Sequence, residues 1–215
     1  MQLLNVNDLK MSFGFGSLFE DVSFALNEKE SISIVGPNGC GKSTIIKSIL
    51  GCGSLNFTGD IVIGPSVKIG YIPQMIIFPD DKQTLLEYFG KATGLNEQKI
   101  MQILAGFQFY QDDIKKRVDK LSGGEKMKIK LAELLQEKIN TLILDEPTNH
   151  IDIDTKEVFE NALEDFDGTI IFVSHDRFFI NKFADRIIEF NDKKNIIYYG
   201  NYDYYVEKKK RINFK

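Results

Sequence analysis

Gly36-Pro37-Asn38-Gly39-Cys40-Gly41-Lys42-Ser43, with Thr44 after it, has the spacing of glycine, four residues, then Gly-Lys-Ser, a pattern suited to holding phosphate. The glycines let the backbone curl until successive amides point inward and form a nest for an anion. A helix opening near Lys42 aims its positive end at the same phosphates. Lys42 brings a full charge to the β- and γ-phosphates of a nucleotide, and the Ser43 hydroxyl is a ligand for Mg²⁺. A glycine-rich turn without a ligand would use the same letters. The context favours phosphate, because a β-branched run at 32–35 precedes the loop and helical character over 42–50 follows it.

Leu142-Ile143-Leu144-Asp145-Glu146 is an apolar run ending in two carboxylates. Beside a phosphate loop, an acid at the end of a core strand holds the Mg²⁺ shell, which assigns Asp145 to the metal. Glu146 points differently and is placed to orient and deprotonate an attacking water. Without the phosphate loop, the pair would read as a solvated acidic turn. Ser174-His175-Asp176 follow a second apolar run, 169–173. Three consecutive residues cannot converge as a hydrolytic triad. His175 is therefore either a surface or capping residue or a γ-phosphate contact, and its place at the end of a core strand favours the contact. Gln74, in Tyr71-Ile72-Pro73-Gln74, is a neutral amide able to touch Mg²⁺ or water, or a solvated loop residue.

Leu121-Ser122-Gly123-Gly124-Glu125 opens a helix with an apolar stripe of Met127, Leu131, Leu134 and Leu135. Ser122 and Glu125 alone fit a capping box. Two adjacent glycines are not explained by a cap, since they weaken a helix and bare its amides for an anion. The segment reads as a second phosphate-binding helix terminus.

These residues need an α/β frame to position them. Apolar runs at 32–35, 141–144 and 169–173 fit central strands of a mostly parallel sheet, covered on both faces. Alternating segments at 3–8 and 21–26 fit an antiparallel β edge, and the polar stretch from about 80 to 135 fits a helical insertion. At 215 residues, one domain is the natural reading. A net charge of −4 argues against a surface built mainly for nucleic acid. No apolar run approaches the roughly 20 residues of a membrane span, and residues 1–5 lack the features of a secretory signal. Cys40 and Cys52 read as reduced thiols of a cytosolic protein. The tail, 202–215, is a helix with Lys208, Lys209, Lys210 and Arg211 on it, either a solvated face or an RNA contact.

Taken in order, the phosphate loop, Gln74, Leu-Ser-Gly-Gly-Glu, Leu-Asp-Glu-Pro and a late His resemble ATPase domains of the ABC type, over essentially the whole chain. Asp145-Glu146-Pro147-Thr148-Asn149-His150-Ile151-Asp152 resembles the ABC-F branch more specifically. So do Ser174-His175-Asp176-Arg177-Phe178-Phe179 and Tyr199-Gly200-Asn201-Tyr202-Asp203-Tyr204-Tyr205. That branch has two ATPase domains in one chain and no membrane segments, and its members act on ribosomes as translation factors or protect them from antibiotics.

The resemblance implies ATP and Mg²⁺ as cofactors, with Gly36, Pro37, Asn38, Gly39, Cys40, Gly41, Lys42, Ser43 and Thr44 around the phosphates. It implies that Ser43, Gln74 and Asp145 hold Mg²⁺, that Glu146 is the general base and that His175 senses the γ-phosphate. Ser122, Gly123, Gly124 and Glu125 would clamp the ATP of an opposite domain, and Asp152 would couple the two sites. Phe13 falls where the family stacks an aromatic on adenine, with Phe15 as rival and a core role open for both.

The implied division is an ATP-binding domain over 1–201 and the start of a basic linker helix over 202–215. The implied partners are a second ABC domain, in the full-length chain or as a homodimer, and the ribosome or its RNA, without membrane insertion. The chain departs from the branch in carrying one ATPase unit, as an N-terminal half cut inside a linker would. The interval from Gln74 to Leu121 has little room for a long helical arm, and Lys29 stands at a turn where many relatives have glycine. An ATPase subunit of a membrane transporter shares every catalytic motif; Asn149-His150 and the Tyr-rich basic tail favour the ribosomal branch. Glu146 and His175 argue against a module that holds nucleotide only as a structural ligand.

Overall fold

The computed structural model describes residues 1–13, 16–52, 57–78, 82–149, 151–191 and 194–213, apart from the side chains of Phe13, Ile212 and Asn213. In chain order the elements begin with β1 (Gln2–Phe13), β2 (Gly16–Asn27), β3 (Ser31–Val35), α1 (Lys42–Ile49), β4 (Phe57–Ile63) and β5 (Ile69–Ile72). Next come α2 (Leu85–Thr93), α3 (Glu97–Gly106), α4 (Gly123–Leu134), β6 (Thr141–Asp145) and α5 (Ile153–Glu164). The chain closes with β7 (Thr169–Val173), α6 (Arg177–Phe183), β8 (Arg186–Asn191), β9 (Lys194–Tyr198) and α7 (Tyr202–Asn213). They form two compact units, one of Met1–Tyr71, Asn140–Glu146 and Gly168–Lys215, the other of Ile72–Ile139 and Pro147–Asp167.

The first unit is built on a six-stranded sheet in the order β5-β6-β7-β3-β8-β9. β3 runs parallel to β7 and β8, β6 runs parallel to β7, and β9 closes the edge antiparallel to β8. Every residue of β6 and β7 is buried, as expected of continuous apolar runs in a doubly covered sheet. The alternating N-terminal segments form a sheet of their own with β4, in the order β2-β1-β4. Both strands outrun 3–8 and 21–26, because shifts in the β1–β2 register near Asp8 (φ +46) break the alternation that marks a strand. Asp21, at φ +53, does the same on β2. Between the sheets, α1 buries Ile45, Ile46 and Ile49 in one core with Leu4, Val6, Phe24, Ile34, Ile143 and Ile188. Each such side chain contributes about 2 kcal/mol. α1 stops at Gly51, whose φ of +65 supplies the left-handed residue that ends many helices.

The second unit is helical. Thr84 and Glu87 form a capping box on α2, and the Asn96 side chain caps α3. Phe89, Leu104, Leu131 and Phe159, one on each of α2, α3, α4 and α5, are fully buried, and α4 touches each of the other three helices. Met127, Leu131 and Leu134 of the expected α4 stripe are buried, while Leu135 is half-buried at the helix end. Glu133, also buried, accepts from the Tyr88 hydroxyl at 2.6 Å and from Lys130 Nζ at 2.8 Å. Among the described residues, no helix is long and apolar enough to cross a membrane.

Candidate active site

The phosphate loop lies between β3 and α1. A Cβ at Gly36 would come within 2.6 Å of the Phe190 carbonyl oxygen and 2.8 Å of Cys40 Sγ, so only glycine allows this approach. Gly41 is the residue before α1, at φ +99, and offers no side-chain cap. The first amides of α1 are therefore left for a ligand. Pro37, Asn38 and Gly39 are exposed, whereas Lys42 is buried. Lys42 Nζ donates to the carbonyl oxygens of Gly36 at 2.9 Å and Pro37 at 3.0 Å, which holds its charge at the mouth of the loop. Burial pushes the Cys40 thiol up, and the half-buried side chain packs against the core.

Asp145 ends β6 with its carboxylate buried, and the Ser43 hydroxyl donates to its Oδ1 at 3.0 Å. Burial raises the Asp145 pKa above the usual range, opposed by the Ser43 hydrogen bond and by the charges of Lys47 and Lys42. Glu146 follows in left-handed backbone, φ +53, with its N–H donating to the Val173 carbonyl at 2.9 Å. Such backbone in a non-glycine residue costs about 1 kcal/mol or more. Glu146 Oε1 lies 3.2 Å from His175 Nε2, while Oε2 is buried with no hydrogen-bond partner among the described residues. Burial raises the Glu146 pKa, and His175 and Lys42 pull it back down. His175 keeps half of its side chain exposed. Asp176 next to it accepts from the N–H groups of Phe178 and Phe179 as the cap of α6, a structural task.

The remaining expected residues lie in the helical unit. Ser122 Oγ accepts from the Glu125 N–H at 3.1 Å, and the Glu125 carboxylate accepts from the Ser122 N–H at 2.7 Å, a complete capping box. Sequence reasoning had no structural explanation for the paired glycines, and the structure supplies one for Gly124. A Cβ there would sit 2.9 Å from Thr155 Cγ2 of α5, so packing demands it. Gly123 is exposed, and a Cβ there would meet nothing within 4 Å. Asp152 caps α5 by accepting from the Thr155 N–H and hydroxyl, both at 2.8 Å. Those two donors hold its carboxyl below the usual range. Gln74 is exposed in irregular backbone after β5. The Phe13 side chain, Phe15 and His150 lie outside the described residues.

One group escaped sequence reasoning. Glu189, in β8, is a buried carboxylate that accepts from Tyr198, Tyr205 and Lys209. An acid inside the apolar run Arg186–Asn191 was the available signal.

Residues 19–149 match the family described as ABC transporter. Among curated proteins, the chain is 46% identical to the protein YdiF of Bacillus subtilis (strain 168), over 97% of this chain and 33% of that protein. It is 37% identical to the energy-dependent translational throttle protein EttA of Escherichia coli (strain K12), over 98% of this chain and 39% of that one. Similarity to ABC transporter F family member 5 of Arabidopsis thaliana is 36%, over 96% of this chain and 30% of that protein. The chain thus spans between about a third and two-fifths of these relatives. In fold it is similar to the ATP-binding subunit of an ABC transporter, with a TM-score of 0.79 at 22% identity over 95% of this chain and 98% of that one.

Proposed function

The chain belongs to the ABC family of ATP-binding domains, in its ABC-F branch, and from that premise we propose that it hydrolyses Mg-ATP at a site shared with a second such domain. One observation carries the reading: a buried Glu146 oxygen with no hydrogen-bond partner among the described residues, beside a glycine-bounded loop that has left its helix amides uncapped. Burying a bare carboxylate oxygen is unfavourable and is retained where a reaction needs a base.

The Ser43 hydroxyl and the Asp145 carboxylate meet in a small, all-oxygen donor set. That chemistry fits Mg²⁺, which takes one or two protein oxygens and keeps the remainder for water and phosphate. When bound, the ion would neutralise charge on the triphosphate. Lys42 and the α1 amides bind the phosphates, Glu146 takes a proton from water, and His175 contacts the γ-phosphate. Gly123 and its neighbours, with Asp152, close the site from a partner domain in the full-length protein or in a homodimer. Closure driven by ATP and released by hydrolysis gives a two-state switch.

What the switch acts on is inferred from kinship. EttA carries translation in its name, and the chain shares 37% of its residues with that protein. The assembly we propose is therefore the ribosome, in translation or in its protection from antibiotics, for a cytoplasmic protein whose α7 begins the linker to the next domain. Glu146→Gln tests the chemistry. Phosphate release from the two-domain protein should fall about 1,000-fold while nucleotide binding persists. A variant that turns over ATP at the unaltered rate removes Glu146 as the base.

A further inference from the structure

Glu189 has a position out of proportion to its silence in the sequence. It sits opposite Val35 in the β3–β8 ladder, and Val35 leads directly into Gly36. The next residue, Phe190, supplies the carbonyl oxygen against which Gly36 packs. The Glu189 side chain is only 5% exposed, so its charge is tolerated only if donors surround it. Tyr198 gives one from β9, with its hydroxyl 3.1 Å from Oε2 and its pKa pushed up to about 12 by burial. α7 gives the other two, the Tyr205 hydroxyl at 2.9 Å and Lys209 Nζ, and Lys209 also donates to the Tyr205 hydroxyl at 3.0 Å.

The tyrosine-rich run is built to present these donors. Asn201 caps α7 by accepting from the Tyr204 N–H at 3.2 Å, and a Cβ at Gly200 would lie 2.7 Å from the Tyr204 ring. Tyr205 meets Tyr198 edge to face at 5.0 Å. Asn181 of α6 and Asp203 of α7 exchange two hydrogen bonds, each 3.1 Å. Between this fastening and the loop remains a cavity of about 260 Å³, lined by Gly36, Pro37, His175, Arg177, Tyr202 and Lys209 among others. α7 is thus tied by the buried charge to β8, the strand paired with the entry to the loop, and residues of loop and α7 line one space.

We propose that Glu189 and Lys209 are positioning residues, an ion pair with its carboxylate buried, through which docking of α7 and grip of the phosphate loop on a triphosphate favour each other. The inference rests on the ATP reading above. Coupling of this kind is reciprocal: a bound triphosphate tightens α7, and a stranded Glu189 charge loosens the loop.

The test titrates a fluorescent ATP analogue with Mg²⁺ into the chain and its variants and follows hydrogen exchange of the α7 amides. Lys209→Met should weaken binding about tenfold, and adding Glu189→Gln to the same chain should recover most of it. Tyr205→Phe, which deletes one hydroxyl, is the milder probe, expected to weaken binding about threefold. Nucleotide should slow α7 exchange in the unaltered chain and not in Lys209→Met. A Lys209→Met chain that melts earlier yet binds normally, or α7 exchange indifferent to nucleotide, overturns the coupling. An unaltered chain that takes up no nucleotide overturns the ATP reading itself, and the coupling with it.

Discussion

Two helices of this chain begin at glycines, and their first amides meet different fates. α1 opens on Gly41, in left-handed backbone and without a cap, forgoing roughly the 1 kcal/mol that a capping side chain provides. α4 opens on Ser122 with a complete capping box, so the N–H groups of Ser122 and Glu125 already have acceptors. Gly124 is pressed against Thr155, leaving Gly123 as the open position. The first terminus thus leaves its amides open, with Lys42 already held across the mouth of the loop. The second is a self-sufficient helix start with little to offer until an anion is brought to it. In the shared site proposed above, this difference would divide the labour, one end binding and the other closing.

Removing charge from the first end should have the larger effect. Lys42→Ala is expected to weaken Mg-ATP binding about 50-fold, the worth of a charge-assisted contact. Ser122→Ala should leave binding to the chain within about twofold and cost about 1 kcal/mol of stability, read by titration and denaturant melts. Equal losses of binding would erase the contrast between the two ends. The glycines of α4 sharpen it further. Gly124→Ala should destabilise by about 1–3 kcal/mol, because Thr155 occupies the space. Gly123→Ala should gain up to about 1 kcal/mol of helix propensity. Its phosphate release in the two-domain protein should nevertheless fall about tenfold, since in the proposed site the methyl would stand in the path of a phosphate. If Gly123→Ala gained stability and kept full turnover, no anion would meet that amide.

The same contrast separates what the sequence disclosed from what it hid. The phosphate loop was legible because its demands are local: glycine where φ is positive or the backbone crowds, and a cation and hydroxyl at the helix start. The strands β6 and β7 were legible because burial on both faces leaves an unbroken apolar run, and β3 because Ile32, Ile34 and Val35 lead straight into the loop. Lys29 was legible as a turn position, and its φ of +56 is the backbone that glycine adopts without strain. Long-range causes were hidden. Nothing near Gly124 in sequence announces Thr155, and nothing near Glu189 announces Lys209, because folding alone brings these pairs together. The two 12-residue strands of the N-terminal hairpin were read short, since the backbone irregularities at Asp8 and Asp21 interrupt the two-residue period.

The carboxylates of the two units should also respond to pH in opposite directions. Burial raises the pKa values of Asp145 and Glu146, so the folded chain takes up those protons more readily than the unfolded one. The stability linked to them is present at low pH and is lost as pH rises through their raised range. Asp152 is held low by the Thr155 N–H and hydroxyl, so its contribution is present above the usual aspartate range and is lost as pH falls. In melts without nucleotide or magnesium, Glu146→Gln should therefore raise the melting temperature near neutral pH and converge on the unaltered chain as the solution is acidified. Asp152→Ala should lower it near neutral pH, and that deficit should shrink on acidification. Melting shifts of the same sign for both variants would mean that the Glu146 charge is not held at a cost to the fold. The buried, unpartnered oxygen would then lose its standing as a sign of catalysis.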